Sequence, residues 1–277
     1  MDRARIAVVE ILLCLSGSIN GLAQQRVDNR GVTKPNTAEV TAQETRGYLY
    51  QAEPDFRAVL PPYPVLGSLE DAQDVASLRY WQQTDGSVRW ALANADVSMS
   101  YDEFAGAFGG PINGGKSPLL VNLLNRVEQD VQSVAFSAKS YYNRPRPFQR
   151  FQMDHVCGSE TAPAPEVPLK GGSSYPSGHT SFGWAAVLIL AEVAPENASQ
   201  LLARGREYGE SRIVCAVHYP SDVVGGQLVA DAVVRTLYSS PEFRRDLGCA
   251  REEHRIASKK GGHISQSCRL RGRSSDR

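Results

Sequence analysis

The residues whose types and spacing can do chemistry are Lys139 and Arg146, the knot Pro176-Ser177-Gly178-His179, and Arg212 followed by His218 and Asp222. Each stretch alone has an ordinary explanation. Lys and Arg favour the last turn of a helix on dipole grounds, and a Pro-Ser-Gly turn commonly precedes a helix. A histidine beside a proline is more often structural than catalytic. Together the residues form one functional unit. The cations Lys139, Arg146 and Arg212 supply more positive charge than a small mononegative ligand needs, and they match the oxygens of a phosphoryl group. A helix opening at Gly178 adds backbone N–H groups and a positive dipole end, while Ser177 adds a hydroxyl donor. A phosphate-sized oxyanion is the natural occupant.

Two histidines around one phosphate imply a division of labour. One attacks phosphorus only if its imidazole is neutral and oriented, which a carboxylate on the far ring nitrogen achieves; His218 followed by Asp222 fits that role. The other must hold a proton for the leaving oxygen, and His179 is placed for it.

The elements that position these groups read as helices. Leu119, Leu120, Leu123, Leu124, Val127, Val131, Val134, Ala135 and Ala138 recur at three- and four-residue steps, with Ser117 as N-cap and Pro118 at the first helical position. This helix ends before Pro145 and puts Lys139 in its last turn, facing the loop of Arg144 and Arg146. A second helix, from Gly178 to Val193, is apolar nearly all round and belongs in the core. Further helices are expected from Ser68 through "LEDAQDVASLRYWQQ", with Leu69, Ala72, Val75, Ala76 and Leu78 near one face, from Ala198 into "SRIVCAV", and from Pro220 to Leu237. In the last, Gly225 and Gly226 admit a close neighbouring backbone. No alternating strand pattern of useful length occurs. Residues 148 to 176 are irregular, rich in Pro and Gly, and long enough to suggest a functional or mobile loop.

The chain has 277 residues and a formal net charge of zero, so one substantial core is expected and any anion chemistry must come from a local cluster. Nucleic acid is not an expected partner. The N-terminus has the layout of an export signal: Arg3 and Arg5, an apolar stretch from Ile6 to Leu15 interrupted by Glu10, and Gly21-Leu22-Ala23 before Gln24. Residues 1–23 are therefore set apart as a signal peptide with cleavage near Ala23, and the mature chain is expected in the periplasm or secreted. The apolar run is too short to span a bilayer, so no stable membrane association is expected. Residues 24–47 read as a flexible leader, 48–249 as the catalytic domain, and 250–277 as a basic, disordered, solvated tail. Export leaves Cys157, Cys215, Cys249 and Cys268 in an oxidising compartment, where four cysteines allow three connectivities.

The string Lys139-x6-Arg146-Pro147, Pro176-Ser177-Gly178-His179, Ser211-Arg212-x5-His218-x3-Asp222 resembles the three-part signature of the phosphatidic acid phosphatase type 2 superfamily, which vanadium haloperoxidases share. Order and internal spacings agree. Within it, "GSSYPSGHT" and the proline-rich "LPPYPVLGS" are similar to the class A bacterial non-specific acid phosphatases, over roughly residues 48 to 250. The resemblance implies an all-α fold, a single compact helical bundle, and hydrolysis of small-molecule phosphate monoesters without cofactor or metal, through a phosphohistidine. His218 would be the nucleophile, Asp222 its orienting partner and His179 the general acid. Lys139, Arg146, Ser177, Gly178 and Arg212 would bind the phosphate oxygens. Arg144-Pro145 is a second Arg-Pro; the six-residue spacing selects Arg146 and leaves Arg144 as an additional cation behind it. The extra Ser in "GSSYP", Pro220 and the long tail depart from the pattern without touching a catalytic group. A homo-oligomer is the expected assembly. The rival readings are a vanadate-dependent haloperoxidase with His218 as metal ligand, a diphosphohydrolase or phosphotransferase of the same superfamily, and a non-enzymatic phosphate-binding protein. The last would not need two histidines with an Asp behind one. Cys157, in the loop before the knot, and Cys215, three residues before His218, are expected to form a disulfide across the site; Cys249 and Cys268 then pair or stay free.

Overall fold

A computed structural model describes residues 46–50, 52–83, 86–153, 155–157, 172–259 and 262–268. The expected signal peptide 1–23, most of the leader, residues 158–171 of the long loop and the end of the tail lie outside the described residues. The long helices are α1 (Leu69–Gln82), α2 (Val88–Ala95), α3 (Pro118–Tyr142), α4 (Gly178–Val193), α5 (Ala198–Val214), α6 (Pro220–Leu237) and α7 (Pro241–Lys259). Single helical turns occur at Phe56–Val59, Tyr101–Phe104, Ala105–Phe108 and Pro147–Arg150, and no strand occurs among the described residues.

Helix α4 is the central rod. It packs on α3, α5 and α6, and its Phe182, Ala185, Ala186, Val187, Ile189, Leu190 and Val193 are buried. This is why its sequence is apolar on nearly every face: a helix with neighbours all round has no solvent side. Close packing at its N-terminus depends on Gly226 of α6, where a Cβ would stand 2.6 Å from Ser177 O and 2.8 Å from Thr180 Cβ. The expected close approach at the Gly225-Gly226 pair is thus real, and the backbone that approaches is the mouth of α4.

The helix starts follow the sequence. Ser68 caps α1 by accepting from Asp71 N at 3.2 Å, and Ser87 caps α2 by accepting from Trp90 N at 3.2 Å. Ser117 sits at the N-cap position of α3, but its hydroxyl donates to Pro111 O at 3.3 Å. The first amides of α3, Leu119 N and Leu120 N, donate instead to the Glu253 carboxylate at 3.1 and 3.0 Å.

Glu253 belongs to a segment expected to be tail, and here the structure corrects the sequence reading. Residues 250 to 259 continue α7, which buries Phe243, Leu247 and Ala250 in the main core and presents Glu253 to α3. Cys268 folds back to pair with Cys249. Composition suggested disorder because α7 carries few apolar residues, and those few lie on one face.

The expected buried face of α1 is also revised. Leu69 is 72% exposed, whereas Asp71, Asp74 and Leu78 are buried. Two aspartates turn inward because cations of the segment after α3, Arg144 and Arg150, lie opposite them.

Candidate active site

Lys139 stands in the last turn of α3, and the chain leaves the helix through Asn143, whose φ of 46° is left-handed, as Asn tolerates. Lys139 Nζ donates to Ser173 O at 2.7 Å and Ser174 O at 3.4 Å, so the strand of chain before the knot steers the ammonium. Its methylene stem lies beside Gly178, where a Cβ would be 3.5 Å from Lys139 Cε. Burial first, and Arg146 second, pull the Lys139 ammonium down to about 7.

Arg146 bridges the end of the long loop and the segment after α5. Its Nε donates to Gly172 O at 3.0 Å, and its Nη1 to Val217 O at 2.9 Å and to His218 Nε2 at 3.2 Å. Arg212, in the last turn of α5, donates from Nη1 to Asp96 O at 3.1 Å, while its buried Nε has no hydrogen-bond partner. Burial lowers Arg212 to about 10, which leaves it a cation over the physiological range.

Ser177 caps α4. Its Oγ accepts from Thr180 N at 3.2 Å and Thr180 Oγ1 at 2.9 Å, so its own O–H proton remains available to an oxyanion. Its backbone N–H donates to Asp222 O at 2.9 Å, tying the start of α4 to the start of α6. The first turn of α4 directs the amides of Gly178 and His179 out of the helix end.

The two histidines have fixed tautomers. His218 Nδ1 lies 3.4 Å from Asp222 Oδ2, and its Nε2 faces the Arg146 guanidinium. A carboxylate only accepts and a guanidinium only donates, so the proton sits on Nδ1 and the lone pair on Nε2. Burial, then Arg146, Lys139 and Arg212, hold His218 well below the ordinary imidazole range, keeping it neutral. His179 Nε2 lies 3.0 Å from Val97 O, another pure acceptor, which leaves Nδ1 as the nitrogen able to take a further proton. Burial and Arg212 lower His179 to about 3. A phosphate dianion among these groups would raise each of them, since every one gains a negative neighbour and binds its proton more tightly.

The residues singled out in the sequence are therefore brought together: Lys139 lies beside Gly178, Arg146 reaches His218, the Ser177 backbone N–H donates to the Asp222 carbonyl, and the Arg212 charge acts on His179. The Cys157–Cys215 disulfide forms as expected and joins the long loop to the end of α5. The proline-rich opening is anchored here too, through Tyr175 Oη donating to Pro61 O at 2.7 Å. Sequence reasoning missed the partners behind the pocket. Asp96 accepts from Ser211 Oγ at 2.5 Å and supports Arg212 through its carbonyl, and Asp74 holds Arg144. Nothing in their local sequence separates them from surface aspartates.

The arrangement gathers three cations, a capping hydroxyl and a helix N-terminus around an imidazole whose Nε2 carries the lone pair. The sequence profile of the PAP2 superfamily matches residues 119–246, which include every residue of this pocket from Lys139 to Asp222. The non-specific acid phosphatase of Providencia stuartii is 35% identical over 225 residues, covering 79% of this chain and 89% of that protein. The chain belongs to the PAP2 superfamily. Other relatives agree with that membership: the acid phosphatase of Zymomonas mobilis subsp. mobilis is 36% identical over 208 residues, covering 74% of this chain and 77% of that protein. The non-specific acid phosphatase of Salmonella typhimurium is 35% identical over 225 residues, covering 78% and 87%. For a PAP2 member the all-helical fold is the expected scaffold, and among the described residues no helix is long and apolar enough to cross a membrane.

Proposed function

We propose that this PAP2 member is an acid phosphatase that hydrolyses phosphate monoesters of broad structure through a phosphohistidine, without a metal. The observation that carries the reading is the setting of His218, proton fixed on Nδ1 by Asp222 Oδ2 at 3.4 Å and lone pair on Nε2 among the cations. A phosphate-binding protein needs the cations alone; an aligned, neutral imidazole is what a nucleophile needs.

The steps follow from the groups present. Lys139, Arg146 and Arg212, with Ser177 Oγ and the amides of Gly178 and His179, take the phosphoryl oxygens and neutralise charge that spreads over them in the transition state. His218 Nε2 forms the N–P bond as the ester P–O bond breaks, and His179 Nδ1 gives its proton to the leaving oxygen. Asp222 stabilises the positive charge that develops on His218. Water then attacks phosphorus, His179 takes its proton, the N–P bond breaks, and phosphate leaves. The cations supply the charge a metal would otherwise bring. Export to the periplasm or medium belongs to the same reading, supported by the N-terminal layout and by two disulfides in so small a domain.

The test is release of p-nitrophenol from its phosphate ester in excess chelator, wild type beside His218→Ala. Full wild-type activity with chelator and an inactive variant are expected. Alkaline denaturing quench during turnover should leave phosphate on the peptide containing His218, and that phosphate should be released by acid. Chelator sensitivity would remove the metal-free reading, and an active His218→Ala would remove the nucleophile.

A further inference from the structure

A string of buried charge runs behind the pocket from α1 to His218. Arg144 is 1% exposed. Its Nη1 donates to Asp222 Oδ1 at 2.6 Å and Ser221 Oγ at 2.7 Å, and its Nη2 donates to Asp74 Oδ2 at 2.9 Å. The guanidinium stacks on the Tyr219 ring, 3.9 Å from its centroid. Asp74 Oδ1 in turn accepts from Ser221 N at 3.0 Å, so α1 also grips the first turn of α6.

The consequence lies in how the fork of Arg144 is divided. Guanidinium and carboxylate left to themselves pair two on two, and such a pair would occupy both oxygens of Asp222. Here Asp74 takes Nη2, so Arg144 reaches Asp222 through Nη1 and Oδ1. Oδ2 is left for Tyr219 N, at 2.8 Å, and for His218 Nδ1.

We infer that Arg144 and Asp74 are positioning residues for the nucleophile: Arg144 keeps Asp222 ionised and turned toward His218, and Asp74 splits the Arg144 fork so that one carboxylate oxygen stays with the imidazole. The inference rests on the reading of His218 as nucleophile and Asp222 as its partner. Neither positioning residue faces the substrate, so their effect passes through Asp222. The charged or titratable groups whose charge acts on Asp222, or on which Asp222 acts, are the cations Arg144, Lys139 and Arg146, the His218 imidazole, and Tyr175 and Tyr219. Burial raises Asp222, and Arg144 is the largest influence opposing it.

The two positions therefore act on the acid limb of the rate profile with opposite sign. Productive attack needs the Asp222–His218 pair in its deprotonated form, with one negative charge, and the acid limb of kcat/KM reports the loss of that form. Removing the cation makes the pair hold its proton more tightly, and Arg144→Met should move the limb up by about one unit or more. Removing the anion behind that cation does the reverse. Asp74→Asn should move the limb down by about half a unit, and lower kcat because Arg144 is free to claim both oxygens. Inhibition by inorganic phosphate should be unchanged in both.

The experiment is the pH dependence of p-nitrophenyl phosphate hydrolysis for wild type, Arg144→Met, Asp74→Asn and His218→Ala, with circular dichroism to confirm folding. Opposite displacements of the limb support the inference. Undisplaced limbs, or displacements of the same sign, overturn it, since a merely structural role lowers activity without moving the limb in two directions. If Arg144→Met does not fold, Asp74→Asn alone decides: a limb moved down supports, an unmoved limb overturns. An active His218→Ala would sink the underlying reading of the nucleophile, whereas an inactive one with unmoved limbs sinks this inference alone.

Discussion

Under the proposed reading, Lys139 is expected to give phosphate affinity an alkaline edge. Burial and Arg146 bring its ammonium down to about 7, so the free protein loses this charge near neutrality. Bound phosphate dianion, in contact with the ammonium, keeps it protonated. The sign follows from linkage. Below about 7 the lysine is charged before and after binding and contributes no slope; above it, binding must take up a proton, and affinity falls by up to tenfold per pH unit. At about pH 8.5 the loss from this group amounts to roughly 30-fold. Lys139→Arg replaces it with a cation whose ordinary value lies above 12, which should stay charged throughout. Arginine cannot reproduce the donation from Nζ to Ser173 O, so absolute affinity of the variant should drop. The pH slope is the diagnostic. The assay is the competitive inhibition constant of inorganic phosphate from about pH 5.5 to about pH 8.5, expressed as the ratio of wild type to variant. Titration of phosphate itself is common to both proteins and cancels in the ratio. A ratio flat across pH would refute the reasoning, because it would mean that Lys139 holds its charge in the free protein.

Three further outcomes test how the fold supports the site. Gly226→Ala should cost about 1–3 kcal/mol of stability and weaken phosphate inhibition, because the new methyl meets Ser177 O at 2.6 Å and must push the mouth of α4 away; an unchanged urea midpoint would contradict this. Replacing Cys157 and Cys215 by Ser opens a closed loop whose ends are 58 residues apart and should cost about 4 kcal/mol, read as a lower Tm that dithiothreitol no longer shifts further at this bond. Asp130, which accepts from Tyr48 N at 2.7 Å and Leu49 N at 3.0 Å, is raised by burial to about 6. The folded protein thus holds its proton more tightly than the unfolded chain, and stability from this group rises as pH falls from about 6 toward about 4. Wild type should gain Tm relative to Asp130→Asn over that interval, and parallel curves would refute the assignment.

The helices α3, α4 and α6 were legible because each carries two independent signals that agree. In α3, Leu119 to Ala138 give the period and Pro118 gives the start; in α6, Pro220 gives the start and Gly226 the close contact. The grouping of the candidate site residues was legible for a related reason: the chemistry proposed for them asks for particular residue types at fixed spacings from helix ends, and Lys139, Gly178 and Arg212 are all helix-end residues. What could not be read were contacts whose meaning arises only in three dimensions. Glu253 looks like any acidic residue of a basic segment until α3 presents two bare amides to it. Asp71 and Asp74 broke the apolar face expected for α1, because burial of aspartate is unfavourable on any sequence scale unless a cation is already buried opposite.

A chain of zero net charge gathers a positive cluster by the way it places its acids. The acids near the site are placed behind its cations rather than among them. Asp74 and Asp222 engage Arg144, Asp71 engages Arg150, and Asp96 is occupied by Ser211 and Arg204. Lys139, Arg146 and Arg212 are instead steered by backbone carbonyls of Ser173, Gly172, Val217 and Asp96, which orient a cation without cancelling its charge. A carboxylate in any of those positions would cancel part of the charge these cations offer to an anion. Neutral acceptors around the binding cations and charged acceptors behind them keep the charges fixed while leaving the field at the mouth of α4 positive.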